Sequence, residues 1–367
     1  MHKHREHITP IQLASIIIST MLGVSMLAFS KFVVDGSGSG SPLASLVGAI
    51  IAFIGLLAVV LLGKRFPKKT IIGYNETILG KPLGRFINVL IILFFAILMG
   101  LETRQFAEVV AGALLPNTPI QITISMMILL CAAASLQNVA TFAYIHFFYM
   151  PLILLPITIV LISAFWDIET YHLFPIIGHN SSFKEFMSGG LVVTQAILNF
   201  FVISMVIPFM KDPKKCIKSG IFGFWIGSFF VVVIVIMSLG VFGEEEMKQM
   251  FWPTLVLGRM IQVPLEILAR IDALLLISWI YGVFTTLLSY YFVFVRGIGE
   301  LFRFRHDRII SLVGFPVTFI IAIFPQDIYQ MYDFILQVTF YGIFLTVFYP
   351  VLLLVVAKIR NKGGVSV

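Results

Sequence analysis

Ten stretches of this sequence, each 17 residues or longer, are apolar enough to cross a bilayer. They run over 9–30, 42–62, 84–114, 120–138, 142–165, 189–210, 218–242, 270–297, 309–325 and 331–357. A helix needs about 20 mostly apolar residues to span the hydrocarbon core. Inside lipid every backbone N–H and C=O must find a partner within the protein, which admits only helices and closed barrels. Continuous apolar runs of this length select helices. The expected class is an all-α polytopic membrane protein with ten transmembrane helices, forming one integral membrane domain over 1–367. Charged residues make up 12% of the chain, against about 25% in a soluble domain, so no sizeable soluble domain fits beside the spans.

The loops orient this frame. Lys64, Arg65, Lys68, Lys69, Lys81 and Arg85 fall between the second and third spans, and Lys211, Lys214, Lys215 and Lys218 between the sixth and seventh. Arg296, Arg303, Arg305 and Arg308 lie between the eighth and ninth, and Lys3, Arg5, Lys358, Arg360 and Lys362 lie in the tails. Ten spans place all of them on one side, which the positive-inside rule makes cytoplasmic together with both termini. The net charge of +7 is then a topology signal and implies no nucleic-acid partner. On the outer side GSGSGS at 36–41 reads as a flexible loop ending at Pro42. Residues 243–269 are too interrupted to span, and suit a short helix lying at the interface.

Two kinds of polar residue stand inside the spans. Small and hydroxylated ones gather in the middle of the first: Ser19, Thr20, Gly23 and Ser25, with Met21, Leu22 and Val24 between them. One reading is a packing surface of small residues. The other is a helix broken at midspan, whose freed N–H groups hold a ligand carboxylate while Gly23 gives the ligand close approach. Neutral polar side chains recur in the sixth span (Thr194, Gln195, Asn199) and in the eighth (Ser278, Thr285, Thr286, Ser289). Ionisable residues cluster toward the outer edge: Glu102, Arg104 and Glu108 in the third span, Arg270 and Asp272 opening the eighth. Arg104 and Glu108 are four apart and can pair on one face. The group reads as an outer ion-pair cluster or an outer gate, and midspan is expected to be free of carboxylates. Neither a nucleophile–base pair nor a phosphate loop or metal-ligand pattern is present, so no enzymatic activity, metal or cofactor is expected.

The chain resembles the membrane-embedded B subunits of spore germinant receptors, the GerAB type. The residues that carry the resemblance are PFMKDPKK at 208–215, WPT at 252–254, Val263-Pro264, the pair Arg270 and Asp272, Trp279 and FPQDI at 324–328. ISTMLGVSML at 18–27 and ETRQFAEVV at 102–110 add to it. The family is similar to the amino-acid/polyamine/organocation transporters. The resemblance therefore implies a LeuT-like fold of two inverted five-helix repeats, roughly 9–165 and 189–357, with the first and sixth helices broken at midspan.

It also implies a sensor of a small neutral or zwitterionic germinant, most often an amino acid, in the spore inner membrane. Its partners would be an A-type membrane subunit and a C-type lipoprotein subunit. Carried onto this chain, the ligand site is Met21, Leu22, Gly23, Val24, Ser25, Leu98, Leu101, Ala196, Asn199, Phe200, Tyr281 and Thr285. No Gly or Pro occurs over 194–204 to break the sixth helix. The competing expectation is an amino-acid permease, possibly proton-coupled. A third is that the subunit lends its fold to an ion-conducting assembly.

Overall fold

The computed structural model describes residues 7–178, 182–260, 271–304 and 307–363. The first span is built from two helices. α1 (Pro10–Met21) starts at a capping box, in which Thr9 Oγ1 accepts from Gln12 N (3.3 Å) and Gln12 Oε1 accepts from Thr9 N (2.8 Å). Each side chain satisfies an N–H that a helix start leaves unpaired. After a break and a 3-10 turn over Val24–Leu27 comes α2 (Phe29–Ser37). The second span is α3 (Ser41–Arg65). The short α4 (Ile71–Leu79) leads to α5 (Lys81–Ala113), and α6 (Ile120–Ser135) and α7 (Val139–Ala164) complete the first five.

The sixth span is α8 (Phe183–Ile197), a 3-10 stretch over Leu198–Val202 and the single turn α9 (Ile203–Val206). α10 (Cys216–Gln249) is the seventh, followed by the short α11 (Pro253–Met260). α12 (Ile271–Phe302) and α13 (Asp307–Ile323) are the eighth and ninth. α14 (Ile328–Ile343) and α15 (Tyr349–Ile359) form the tenth, joined through a π-helical turn at Phe344–Phe348. Among the described residues, seven continuous stretches reach the length and apolarity of a span, with mean hydropathy from 1.7 to 2.9. Pairing α1 with α2, separating α2 from α3, and adding α6 and α13 brings the count to ten.

The interior is largely apolar, and the outer surface is apolar too: Phe86, Met126, Leu155, Leu312, Ile320 and Leu352 stand exposed on it, as a surface set in lipid requires. Hydroxyls and amides lie inside, among them Ser19, Thr20, Asn199, Thr285, Thr286 and Ser289. The two interrupted spans meet at the centre. α1 packs against the 198–202 stretch and α2 against α8, while α12 lies beside α1, α5 and α7. Ile8 N donates to Phe209 O (2.9 Å) and Lys211 N to Ile8 O (3.0 Å), which ties the start of the first span to the end of the sixth.

The break in the sixth helix that the resemblance implies is present although no Gly or Pro makes it: α geometry gives way to a 3-10 stretch over Leu198–Val202, where the Asn199 side chain donates to Thr20 O of the first span. Two expectations are corrected here. The 36–41 run is a packed turn. Ser37, Ser39 and Ser41 are buried, Ser39 Oγ donates to Pro175 O (3.0 Å), and Ser41 Oγ donates to Gly38 O (2.6 Å). Its small residues continue into a close contact between spans, where a Cβ on Gly48 would meet Gly190 O at 2.1 Å. Finally, the part of the 243–269 segment that the structure describes does not rest free on the surface but packs as α11 against protein; 261–269 lies outside the described residues. Pro253, Thr254, Leu255 and Leu257 are buried against α10, α12 and the turn after the first-span break.

Candidate ligand site at the first-span break

α1 ends with Leu22 N donating to Ile18 O (3.2 Å), and the next backbone bond joins Met26 N to Gly23 O (3.2 Å). Carbonyls freed by such a break in lipid must be met by side chains of neighbouring helices. Thr20 O accepts from both Asn199 Nδ2 and Thr286 Oγ1, each at 3.1 Å. Ser19 O accepts from Thr285 Oγ1 (3.3 Å) and Met26 O from Thr254 Oγ1 (3.0 Å). Val24 O accepts from Gln105 Nε2 and Trp279 Nε1, each at 3.4 Å. The break is thus clasped by α5, α11, α12 and the unwound sixth span.

Gly23 is required by this clasp. A Cβ there would stand 1.8 Å from Thr286 Oγ1 and 2.7 Å from Thr286 Cβ. The expectation that Gly23 makes room for a ligand is therefore corrected: α12 fills the space beside it.

On the α2 side of the break lies a cavity with about 470 Å³ of empty space, its mouth included. Ser25, Phe29 and Phe32 line it from the first span, Glu102 and Gln105 from α5, Gln195 and Ala196 from α8, and Tyr332 and Thr339 from α14. Gln195 Oε1 accepts from Thr339 Oγ1 (3.1 Å). Trp252 Nε1 donates to the Tyr332 hydroxyl (2.9 Å), so the segment leading into α11 closes over the same wall.

The expected site residues divide into groups. Ser25 and Ala196 line the cavity. Leu22, Gly23, Val24, Asn199 and Thr285 build the clasp. Met21 is buried and faces Gly227 of α10. Leu98 and Leu101 are buried inside α5. Phe200 points away toward Gly55 and packs edge-on against Phe224, 5.9 Å between centroids. Tyr281 lies 4.9 Å from the ring of Tyr149 on α7.

The outer charges are split as well. Arg104 Nε donates to Glu108 Oε1 (2.8 Å). Asp272 lies in the first turn of α12, and Arg270 lies outside the described residues. Glu102 leaves this group and turns inward. It is 5% exposed, and its Oε1 lies 3.0 Å from the Tyr290 hydroxyl, which lies 2.6 Å from Asn199 Oδ1. The expected absence of a carboxylate at midspan is corrected by this chain of contacts.

Glu102, Gln105, Tyr290, Tyr332 and Thr339 were not assigned to the site from sequence. Helical spacing puts Glu102 and Gln105, three residues apart, on one face, and that signal was present. A further unassigned residue, His146 of α7, is fully buried between Ser19 Oγ (2.6 Å from Nδ1) and Ser289 Oγ (3.2 Å from Nε2). It joins the first, fifth and eighth spans behind the break.

Two interrupted spans meeting at the centre, beside the third and eighth, define a polytopic membrane protein with a transporter-like fold. A Na+-coupled sialic acid symporter, solved in a substrate-bound outward-open state, has the same fold. The TM-score is 0.68 at 10% identity, over 94% of this chain and 80% of that one. The chain belongs to the spore germination protein family, whose profile matches residues 7–331. Among its relatives, spore germination protein YndE of Bacillus subtilis (strain 168) is 26% identical over 97% of this chain and 98% of its own length. Spore germination protein B2 of the same strain is 26% identical over 90% of each chain. Spore germination protein GerLB of Bacillus cereus is 21% identical over 94% of this chain and 93% of its own length.

Proposed function

We propose that this chain is the nutrient-sensing subunit of a spore germinant receptor, and that it binds a small zwitterionic germinant, an amino acid, in the cavity beside the first-span break. The observation that carries the reading is the pairing of that cavity with the break. The carbonyls freed around the break are occupied by side chains. A helix start leaves its first N–H groups without intrahelical partners, which here belong to Val24 and Ser25. A carboxylate leaving water needs such donors, because burying it unpaired is prohibitive. In this reading the protein sits in the spore inner membrane with both termini cytoplasmic. It works with an A-type membrane subunit and a C-type lipoprotein subunit, and closure of the cavity is the signal they receive.

The alternative is a permease, favoured by the fold shared with a symporter. One experiment separates the two. The full chain, purified into lipid nanodiscs and into proteoliposomes, is given a panel of tritiated neutral amino acids. Saturable binding without vesicle uptake is expected of a sensor, and uptake at rates matching binding would establish the permease. Ala196→Trp, which fills the cavity, should abolish binding while leaving protein level and melting temperature near wild type. Unchanged binding in that variant would move the site elsewhere.

A further inference from the structure

Glu102 carries two carboxylate oxygens in a setting that partners at most one of them. Tyr290 has a single hydroxyl proton and two acceptors within reach, Asn199 Oδ1 at 2.6 Å and Glu102 Oε1 at 3.0 Å. Asn199 cannot turn its amide round to help, because its Nδ2 already donates to Thr20 O. Glu102 Oε2 is buried and has no hydrogen-bond partner among the described residues. Nor does any lysine, arginine or histidine line the cavity among the described residues. The nearest cation along α5 is Arg104, two residues on. At about 100° per residue it projects from the other side of the helix, and it is held by Glu108. A buried charge with no counter-charge is strongly disfavoured, so the site lacks one positive group.

We propose that the positive group is supplied by the ligand: Glu102 is the subsite for a protonated amine, received on Oε2 from the cavity side. The other polar groups of the wall suit that occupant. Ser25, Gln105 and Gln195 present a hydroxyl and two amides around the same space, which serves an ammonium with three hydrogens to place. A lone proton on Glu102 would neutralise the charge but would leave those groups unexplained. The assignment rests on the cavity proposed above as the ligand site, and it narrows the ligand to a molecule with a cationic nitrogen. Neutral sugars and nucleosides are excluded.

The test uses the intact chain in nanodiscs. A hydrophobic carbodiimide adds to a buried carboxyl group, and the product on Glu102 is read by mass spectrometry. Labelling is measured alone and with alanine, with ethylamine (alanine's amine without the acid), or with propionate (the acid without the amine). Protection by alanine and ethylamine and none by propionate is expected. Equal protection by propionate, or none by either amine-bearing compound, overturns the amine subsite. Protection by ethylamine with no amino-acid binding anywhere in the tritiated panel keeps the amine subsite and removes the amino-acid reading. Glu102→Gln should weaken binding of any amino acid found by roughly 10- to 100-fold, the range for one charge-assisted hydrogen bond. Wild-type affinity in that variant overturns the proposal. The protection measurement needs no variant, so it stands even if Glu102→Gln fails to fold.

Discussion

Gly23 and Thr286 leave no room between them for a methyl group. Gly23→Ala should therefore lower stability through the contact between the first span and α12, by about 1–3 kcal/mol as for other overpacked sites. The expected outcome is a lower melting temperature and less protein in the membrane. Adding Thr286→Gly, which removes both clashing atoms, should recover part of the loss. A double variant no better than Gly23→Ala alone would refute the packing account. Hydroxyls and amides are costly in lipid unless they do something, which is why Asn199 and Thr285 stand out in the sequence. What they do was not legible. A list of midspan polar residues does not say which face carbonyls and which face empty space, and here most of them face carbonyls. Glu102 was grouped with Arg104 by depth in the membrane. Rotation about the helix axis decides its company instead, and sends the two residues to different sides.

Among the elements, α11 departs furthest from its sequence pattern. Its Trp, apolar residues and Arg suggested a helix resting at the interface, but composition alone does not distinguish lipid headgroups from a protein wall. Trp252 meets Tyr332 and lies over Gly112 of α5, while Thr254 reaches Met26 O. The segment is pinned to the cavity wall by one hydrogen bond and to the break by another. Trp252→Phe keeps an aromatic ring but deletes the first bond, worth about 0.5–1.5 kcal/mol net, together with the indole's contact over Gly112. Amides of residues 254–258 should then exchange with deuterium roughly 2- to 10-fold faster through local opening. Those of α10 and α12 at midspan should not change, and identical exchange across α11 would show that Trp252 does not hold it. The sixth span teaches a similar lesson. Its break was implied by the family resemblance alone, since no Gly or Pro marks it, and side-chain bonds from Asn199 and Tyr290 accompany 3-10 geometry over Leu198–Val202. Helix breaks made by tertiary contacts leave no local mark.

For the whole molecule, the ten-span frame was read from the lengths of the apolar runs, and the orientation proposed from charge can be tested directly. Cys131 and Cys216 are both buried, so a membrane-impermeant thiol reagent has little background on intact cells. Cysteines introduced at the exposed positions Lys68 and Lys214 should be protected, and those at Trp166 and Ile177 labelled; the opposite pattern would invert the topology. Positions 39–41 are poor probes, because that turn is packed. The carbonyl of Thr20 takes bonds from the sixth span and the eighth at once. It therefore stands where a fulcrum for the eighth span would have to be. Thr286 sits at the middle of α12, leaving an arm of about 24 Å on either side at 1.5 Å per residue. A tilt of about 5° around that oxygen would move each end of the helix by about 2 Å while the bonds at the centre hold. A shift too small to disturb the pivot is then large enough for a neighbouring protein at the membrane surface to detect.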